Sequence, residues 1–202
     1  MRQTGPPLIL ASQSASRRAL LEAAGLIFTT RPAYVDEASV QRSARAEGAT
    51  PAEVSVLLAE RKATRISAQM SDAVVIGADQ ILVCNGVWFD KPASGAEVLE
   101  HLRYLRGRTH ALVTAVVCMR NGDRLWHHVV QPKLTMRVFS DDFLEDYVKA
   151  EGDALLHVVG AYRLERRGVH LFDRIDGEHS AILGLPLLPL FGFLRQHGIL
   201  GS

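Results

Sequence analysis

Leu8-Ile9-Leu10-Ala11-Ser12-Gln13-Ser14-Ala15-Ser16-Arg17-Arg18-Ala19-Leu20-Leu21 is the stretch on which the fold turns. Its first four residues form an unbroken apolar run, the pattern of a short strand buried on both faces. Serines follow, then a helix predicted over residues 16–24 and stopped by Gly25. Strand, polar loop and helix in that order open an α/β unit. The same junction can bind an anion. Backbone N–H groups at a helix start and the helix dipole favour negative charge. Ser12 and Ser14 add hydroxyl donors, and Arg17 adds a planar fork that suits phosphate oxygens. The plainer alternative is that Ser14 or Ser16 only caps the helix while the arginines are solvated. The GxxxxGK[ST] pattern of a Walker loop is absent.

Working outward, residues 26–34 read as a second strand ending at Val35-Asp36-Glu37, and residues 38–49 as a loop or ragged helix. Thr50-Pro51-Ala52-Glu53 is a helix start, with a capping Thr, a first-turn Pro and a Glu three residues on. That helix is predicted to reach residue 68. A β-type run spans residues 73–84, and Asn85-Gly86 turns it tightly into Val87-Trp88-Phe89. Ser94-Gly95-Ala96-Glu97 opens another helix, ended by Gly107. A strand over 109–119, a turn at Asn121-Gly122 and one long strand over 125–138 come next. Ser140 caps a helix to residue 150. Residues 155–162 and 169–175 are strand candidates, and 185–196 is an apolar tail helix. Strands alternate with helices, but two hairpins interrupt them. The pattern predicts an α/β fold with a mixed β-sheet and flanking helices, in one domain spanning 1–202 with a core over 7–198.

The chain has 202 residues, enough to bury a sizeable core. Its 23 basic and 22 acidic residues leave a net charge of +1, which argues against a nucleic-acid coat or an electrostatic membrane binder. Cys84 and Cys118 each sit in an apolar run without metal-ligand spacing and read as buried, reduced thiols. The apolar segment near the N-terminus is too short for a signal peptide or a span, so a cytoplasmic protein is expected.

Four further features could carry chemistry. Asp79 lies inside Val74-Val75-Ile76-Gly77-Ala78-Asp79-Gln80-Ile81-Leu82-Val83, where a carboxylate is costly unless paired, metal-bound or at a strand end. A salt bridge to a core arginine is the structural alternative. Asp36-Glu37 offers paired oxygen ligands of the kind that suit Mg²⁺ or Mn²⁺, or else an exposed acidic loop end. Lys62 falls four residues after Leu58 and eight after Val54, on their apolar helix face, so it either snorkels to the edge or points into a site. Lys91 precedes Pro92, which holds its backbone extended. For either lysine the bland reading is a solvated surface group. Together these residues supply what phosphoanhydride hydrolysis needs: cations to neutralise the polyphosphate, and acids to hold a divalent ion and orient or deprotonate water. His110 and His179 sit in no recognisable nucleophile context. An aspartyl-phosphate mechanism would want paired aspartates where Ser12 and Ser14 stand.

These blocks resemble the Maf family of nucleotide pyrophosphatases, relatives of a septum-formation inhibitor. The resemblance runs through Leu8 to Leu21, Asp36-Glu37, Leu58-Ala59-Glu60-Arg61-Lys62-Ala63, Gly77-Ala78-Asp79-Gln80, Lys91-Pro92, Gly107-Arg108-Thr109-His110, Gly160-Ala161-Tyr162 and Gly184-Leu185-Pro186-Leu187. It implies an elongated mixed-sheet fold with two lobes around a central cleft, a common homodimer, and a nucleoside triphosphate substrate cleaved to monophosphate and diphosphate with Mg²⁺ or Mn²⁺. By motif position, Ser12 and Arg17 would grip phosphates together with Lys62 and Lys91. Glu37 would support the metal or the water, and Asp79 would accept the proton and share the metal. Base choice would rest on the positions of Ser16, Gln80 and Glu165. The Ser, Gln and Glu found here match a 7-methyl-GTP branch at two of three positions and a dTTP/UTP branch at none. The chain departs from the family pattern at Ala15, Ser16 and Arg163, where Pro, a large residue and Gly are usual. A non-catalytic nucleotide-binding regulator of cell division is the rival reading, and it would not need Asp79.

Overall fold

The computed structural model describes residues 3–70 and 72–201. The chain forms two compact units. The first comprises the residues up to Asp79, Thr114–Val130 and the residues from His179 on; the second comprises Gln80–Val113 and Gln131–Glu178.

In the first unit, β1 (Leu8–Leu10) pairs parallel with both β2 (Thr29–Thr30) and β3 (Val74–Cys84), with Leu8 opposite Val74 and Ile9 opposite Val75 and Thr29. Alternation decides which helix each strand residue meets. Leu8, Leu10, Val74 and Ile76 pack in one layer with Leu21 of α1 (Ala15–Ala23) and with Leu190, Phe193 and Leu194 of α7 (Leu187–Gln196). Ile9, Ala11 and Val75 pack in the other with Ala59, Ala63 and Ile66 of α3 (Pro51–Ser67). β3 lies between β1 and β5 (Thr109–Arg120), whose Ala115 and Val116 continue the two layers, and β6 (Asp123–Val130) pairs antiparallel with β5. A parallel centre flanked by antiparallel strands is the predicted mixed sheet.

In the second unit, β4 (Val87–Phe89) folds back on β3. β7 (Lys133–Met136) pairs antiparallel with β5 and with β8 (Phe172–Asp176). Leu102 and Leu105 of α4 (Gly95–Leu105) and Leu144 and Tyr147 of α5 (Asp141–Glu151) are buried, as are Leu112, Leu134 and Leu155. His110 Nε2 lies 2.8 Å from Tyr162 Oη inside this unit, and Tyr162 meets Phe172 edge-on.

Four expectations need correction. The strand predicted over 26–34 is only two residues long, because Thr29 and Thr30 are exposed and offer no apolar face to extend. Residues 37–46 are a regular helix, α2 (Glu37–Ala46), capped by Asp36, whose Oδ1 accepts from Ser39 N at 3.0 Å. Only Ala44 of α2 is buried, so no apolar stripe announced it. The long strand over 125–138 is two strands, β6 and β7, separated at Pro132, which cannot donate to a ladder. Residues 155–162 form no strand: most lie in 3₁₀ turns (Gly152–His157, Val159–Ala161), with Gly160 at φ 77° and Ala161 at φ 57°. Both cysteines are buried free thiols, as their apolar runs predict. No helix among the described residues is long and apolar enough to cross a membrane.

Candidate active site

Six of the residues singled out from the sequence meet in the first unit. The loop after β1 carries Ser12, whose Oγ accepts from Ser14 N at 3.2 Å and from Arg17 Nη1 at 3.2 Å. Ser14 Oγ accepts from Arg17 N at 3.3 Å and is the N-cap of α1. Capping and anion binding are therefore compatible here. The N–H groups of the first helical residues, Ala15 and Ser16, have no carbonyl one turn back and point out of the helix start. Ser14 is a cap, as the plainer reading held, while the Arg17 guanidinium is bonded to Ser12 rather than solvated.

Arg17 is fixed from the far side as well. Its Nε donates to Gly184 O at 2.8 Å. Gly184 takes φ 98°, and a Cβ there would come within 3.1 Å of Arg17 Nε. Glycine thus supplies both the left-handed turn after α6 (His179–Ile182) and the room for the guanidinium. Burial pushes the Arg17 guanidinium down, and the carboxylates of Asp79 and Glu37 oppose that shift.

Lys62 links two acids. Its Nζ is 2.6 Å from Asp79 Oδ1 and 2.9 Å from Glu37 Oε1. α3 supplies Lys62, its N-terminus held by a capping box between Thr50 and Glu53; β3 supplies Asp79; α2 begins at Glu37. The helix and the strand can come this close because of Gly77. A Cβ on Gly77 would stand 2.2 Å from Ala59 O and 2.9 Å from Ala63 Cβ. Lys62 and Asp79 are each 5% exposed, so the pair is withdrawn from water, whereas the Glu37 side chain is 45% exposed. The salt bridge that the sequence alternative assigned to an arginine is made by a lysine.

Burial raises the Asp79 pKa above the ordinary carboxyl range, while Lys62 and Arg17 pull it back and Glu37 adds to the rise. An ammonium has three donors, and two of those of Lys62 are used on Asp79 and Glu37. Two oxygen-donor carboxylates from different elements therefore converge, one buried and one open to solvent. That donor set fits Mg²⁺ or Mn²⁺, which are held by one or two carboxylates with substrate phosphates completing the shell. Among the described residues no cluster of three or more His, Cys, Asp or Glu side chains forms a closed metal cage.

The remaining sequence candidates are placed differently. Ser16 is a half-buried residue in the first turn of α1. Gln80 follows Asp79 on β3, half-buried and on the opposite side of the strand by alternation. Lys91 is exposed in the second unit, between β4 and α4. Glu165 is also in the second unit, with its Oε1 3.4 Å from Arg163 Nε. His179 opens α6, and His110 is buried with its Nε2 against Tyr162 Oη, outside the Lys62–Asp79 cluster. Sequence reasoning missed the shaping roles of Gly77 and Gly184. For Gly77 the signal was a lone glycine inside a strand pattern, which marks a close backbone approach.

The chain matches the family model described as Maf-like protein over residues 7–197. A protein of Granulibacter bethesdensis named nucleoside triphosphate pyrophosphatase is 57% identical over 190 residues, covering 94% of this chain and 96% of that protein. Another of that name, from Rhodospirillum rubrum, is 50% identical over 197 residues, with 98% of each chain covered. A protein of Rhizobium meliloti named 7-methyl-GTP pyrophosphatase is 45% identical over 197 residues, covering 98% of this chain and 99% of its own.

Proposed function

The chain belongs to the Maf-like protein family, and on that footing we propose that it hydrolyses the α–β phosphoanhydride of a nucleoside triphosphate to the monophosphate and diphosphate. One observation carries the reading: a buried lysine within 2.6–2.9 Å of two acids from separate elements, with the Ser12–Arg17 loop in the same unit. Water attacks the α-phosphorus, its proton passes to Asp79, and the bridging oxygen leaves with diphosphate. A carboxyl held above its ordinary pKa is a better proton acceptor near neutral pH than an exposed one. Lys62 holds Asp79 and Glu37 in register and offers its third N–H to a phosphoryl oxygen. Ser12, Arg17 and the first N–H groups of α1 grip the phosphates.

The two cations and two carboxylates of this cluster balance in charge, so a polyanionic triphosphate needs further positive charge. Glu37 and Asp79 are the residues that would hold Mg²⁺ or Mn²⁺, which supplies that charge and acidifies water. Lys91 is assigned to the same task. For the base, we assign Ser16, Gln80 and Glu165 as the recognition positions and guanine-type triphosphates such as 7-methyl-GTP as the preferred class. A carboxylate only accepts hydrogen bonds and matches the paired N–H donors of a guanine edge, whereas uracil and thymine flank their one N–H with carbonyls.

The test is diphosphate release across a panel of GTP, 7-methyl-GTP, UTP, dTTP, CTP and ATP with Mg²⁺ or Mn²⁺. Release from at least one triphosphate, lost on chelation and in Asp79→Asn, is expected. No release from any, or full release by Asp79→Asn, overturns the reaction. Faster turnover of UTP or dTTP than of any guanine nucleotide overturns the base assignment alone. Nucleotide binding retained by Asp79→Asn without turnover would reject the non-catalytic regulator.

A further inference from the structure

The second unit contains a basic hollow that the proposed reaction does not use. It has a volume of about 530 Å³ and is lined by Ala150, Glu151, Arg163, Arg166, Arg167 and His170. The turn that carries the arginines is tightly built. Arg166 N and Gly168 N both donate to Arg163 O, at 3.0 and 3.1 Å. A Cβ on Gly168 would lie 2.5 Å from the same oxygen, so the turn closes only around glycine. Glu151, whose side chain is 7% exposed, anchors the turn to the end of α5: its Oε1 accepts from Arg167 N at 3.3 Å and its Oε2 lies 3.6 Å from Arg163 Nη1. Arg163 is shared between Glu151 and Glu165. The charges of these three side chains sum to one negative, and Arg166 and Arg167 add two positives. Neither of those two guanidiniums has an ion-pair partner among the described residues.

We propose that this hollow binds a phosphate-class anion at the Arg166 and Arg167 guanidiniums, as a site distinct in its residues from the Lys62–Asp79 cluster. Two adjacent forks on a backbone fixed by Gly168 and Glu151 present paired N–H donors to a tetrahedral oxyanion, the geometry at which arginine exceeds lysine. The volume accommodates diphosphate and also the phosphate tail of a nucleotide. Solvated arginines on a surface turn would give the same exposure but no saturable binding.

Inorganic diphosphate is titrated by calorimetry into the full chain in metal-free buffer, against R166Q/R167Q, R166K/R167K and R17Q, with inorganic phosphate and ATP as parallel probes. Both arginines are exposed, so the variants are expected to keep the wild-type melting temperature. The proposal expects R166Q/R167Q to weaken one binding event at least about tenfold while R17Q leaves that event intact, with R166K/R167K in between. Tighter binding of ATP than of diphosphate identifies a nucleotide's phosphate tail as the source, and the reverse order the free anion; either supports the site. Identical isotherms for wild type and R166Q/R167Q, or no saturable binding of any probe, overturn it. The outcome is independent of whether the chain hydrolyses triphosphates.

Discussion

Asp79 is the residue whose environment says most about its chemistry. Burial holds its pKa above that of an ordinary aspartate, so the ionised form needed to accept a proton is lost at higher pH than for an exposed one. The acid limb of kcat/KM is therefore expected above the ordinary aspartate range, and Asp79→Asn is expected to lower kcat by at least about 10²-fold and abolish that limb in a pH–rate series. Lys62 gives the complementary experiment. Lys62→Met leaves a buried carboxylate without its counter-ion, which costs about 3–5 kcal/mol in denaturant titrations near neutral pH. A carboxyl with a raised folded-state pKa takes up its proton more readily folded than unfolded, so the loss in Lys62→Met shrinks as pH falls. Asp79→Asn in the same background should recover most of it. Sequence singled out both residues through one signal, a charge in an apolar pattern. It could not pair them, because sequence spacing does not say which helix face meets which strand residue.

At the scale of elements, the site depends on how closely α3 approaches β3. Gly77→Ala would force a Cβ against Ala59 O and push strand and helix apart. A loss of about 1–3 kcal/mol is expected by thermal or chemical unfolding. Turnover should fall further than stability explains, because the 2.6 Å contact of Lys62 and Asp79 spans that gap. Thr50→Ala tests the other end of α3. It removes the hydroxyl that accepts from Glu53 N and should cost about 1 kcal/mol, with kcat little changed, since the cap lies three turns from Lys62. Capping boxes, Pro at a helix start and Asn-Gly turns were legible because their chemistry is local. The helix α2 was not, since it buries one residue, and the 3₁₀ turns at 152–161 were not, since their short apolar runs fit a strand equally well.

For the whole molecule, acid stability has an identified contributor. Burial pushes His110 down from 6.5 to about 4. It is neutral when folded and charges readily when unfolded. The folding stability it supports is complete above about pH 6.5 and is lost as pH falls towards 4, by about 3 kcal/mol in the limit. In His110→Gln, whose amide can still reach Tyr162, chemical unfolding midpoints should decline less steeply between those pH values. The sequence by itself determined the α/β class, the mixed sheet, most helix ends and the identity of the charged residues that matter, because periodicity, turn chemistry and misplaced charge are properties of neighbours along the chain. Only the tertiary structure decided that Lys62 bridges Asp79 and Glu37, that Gly184 seats Arg17, and that Glu165 is held by Arg163. The third lies within one turn, and the first two join residues from separate elements. They form because burying apolar faces brings helices and strands together, and the charged groups carried with them must then find partners.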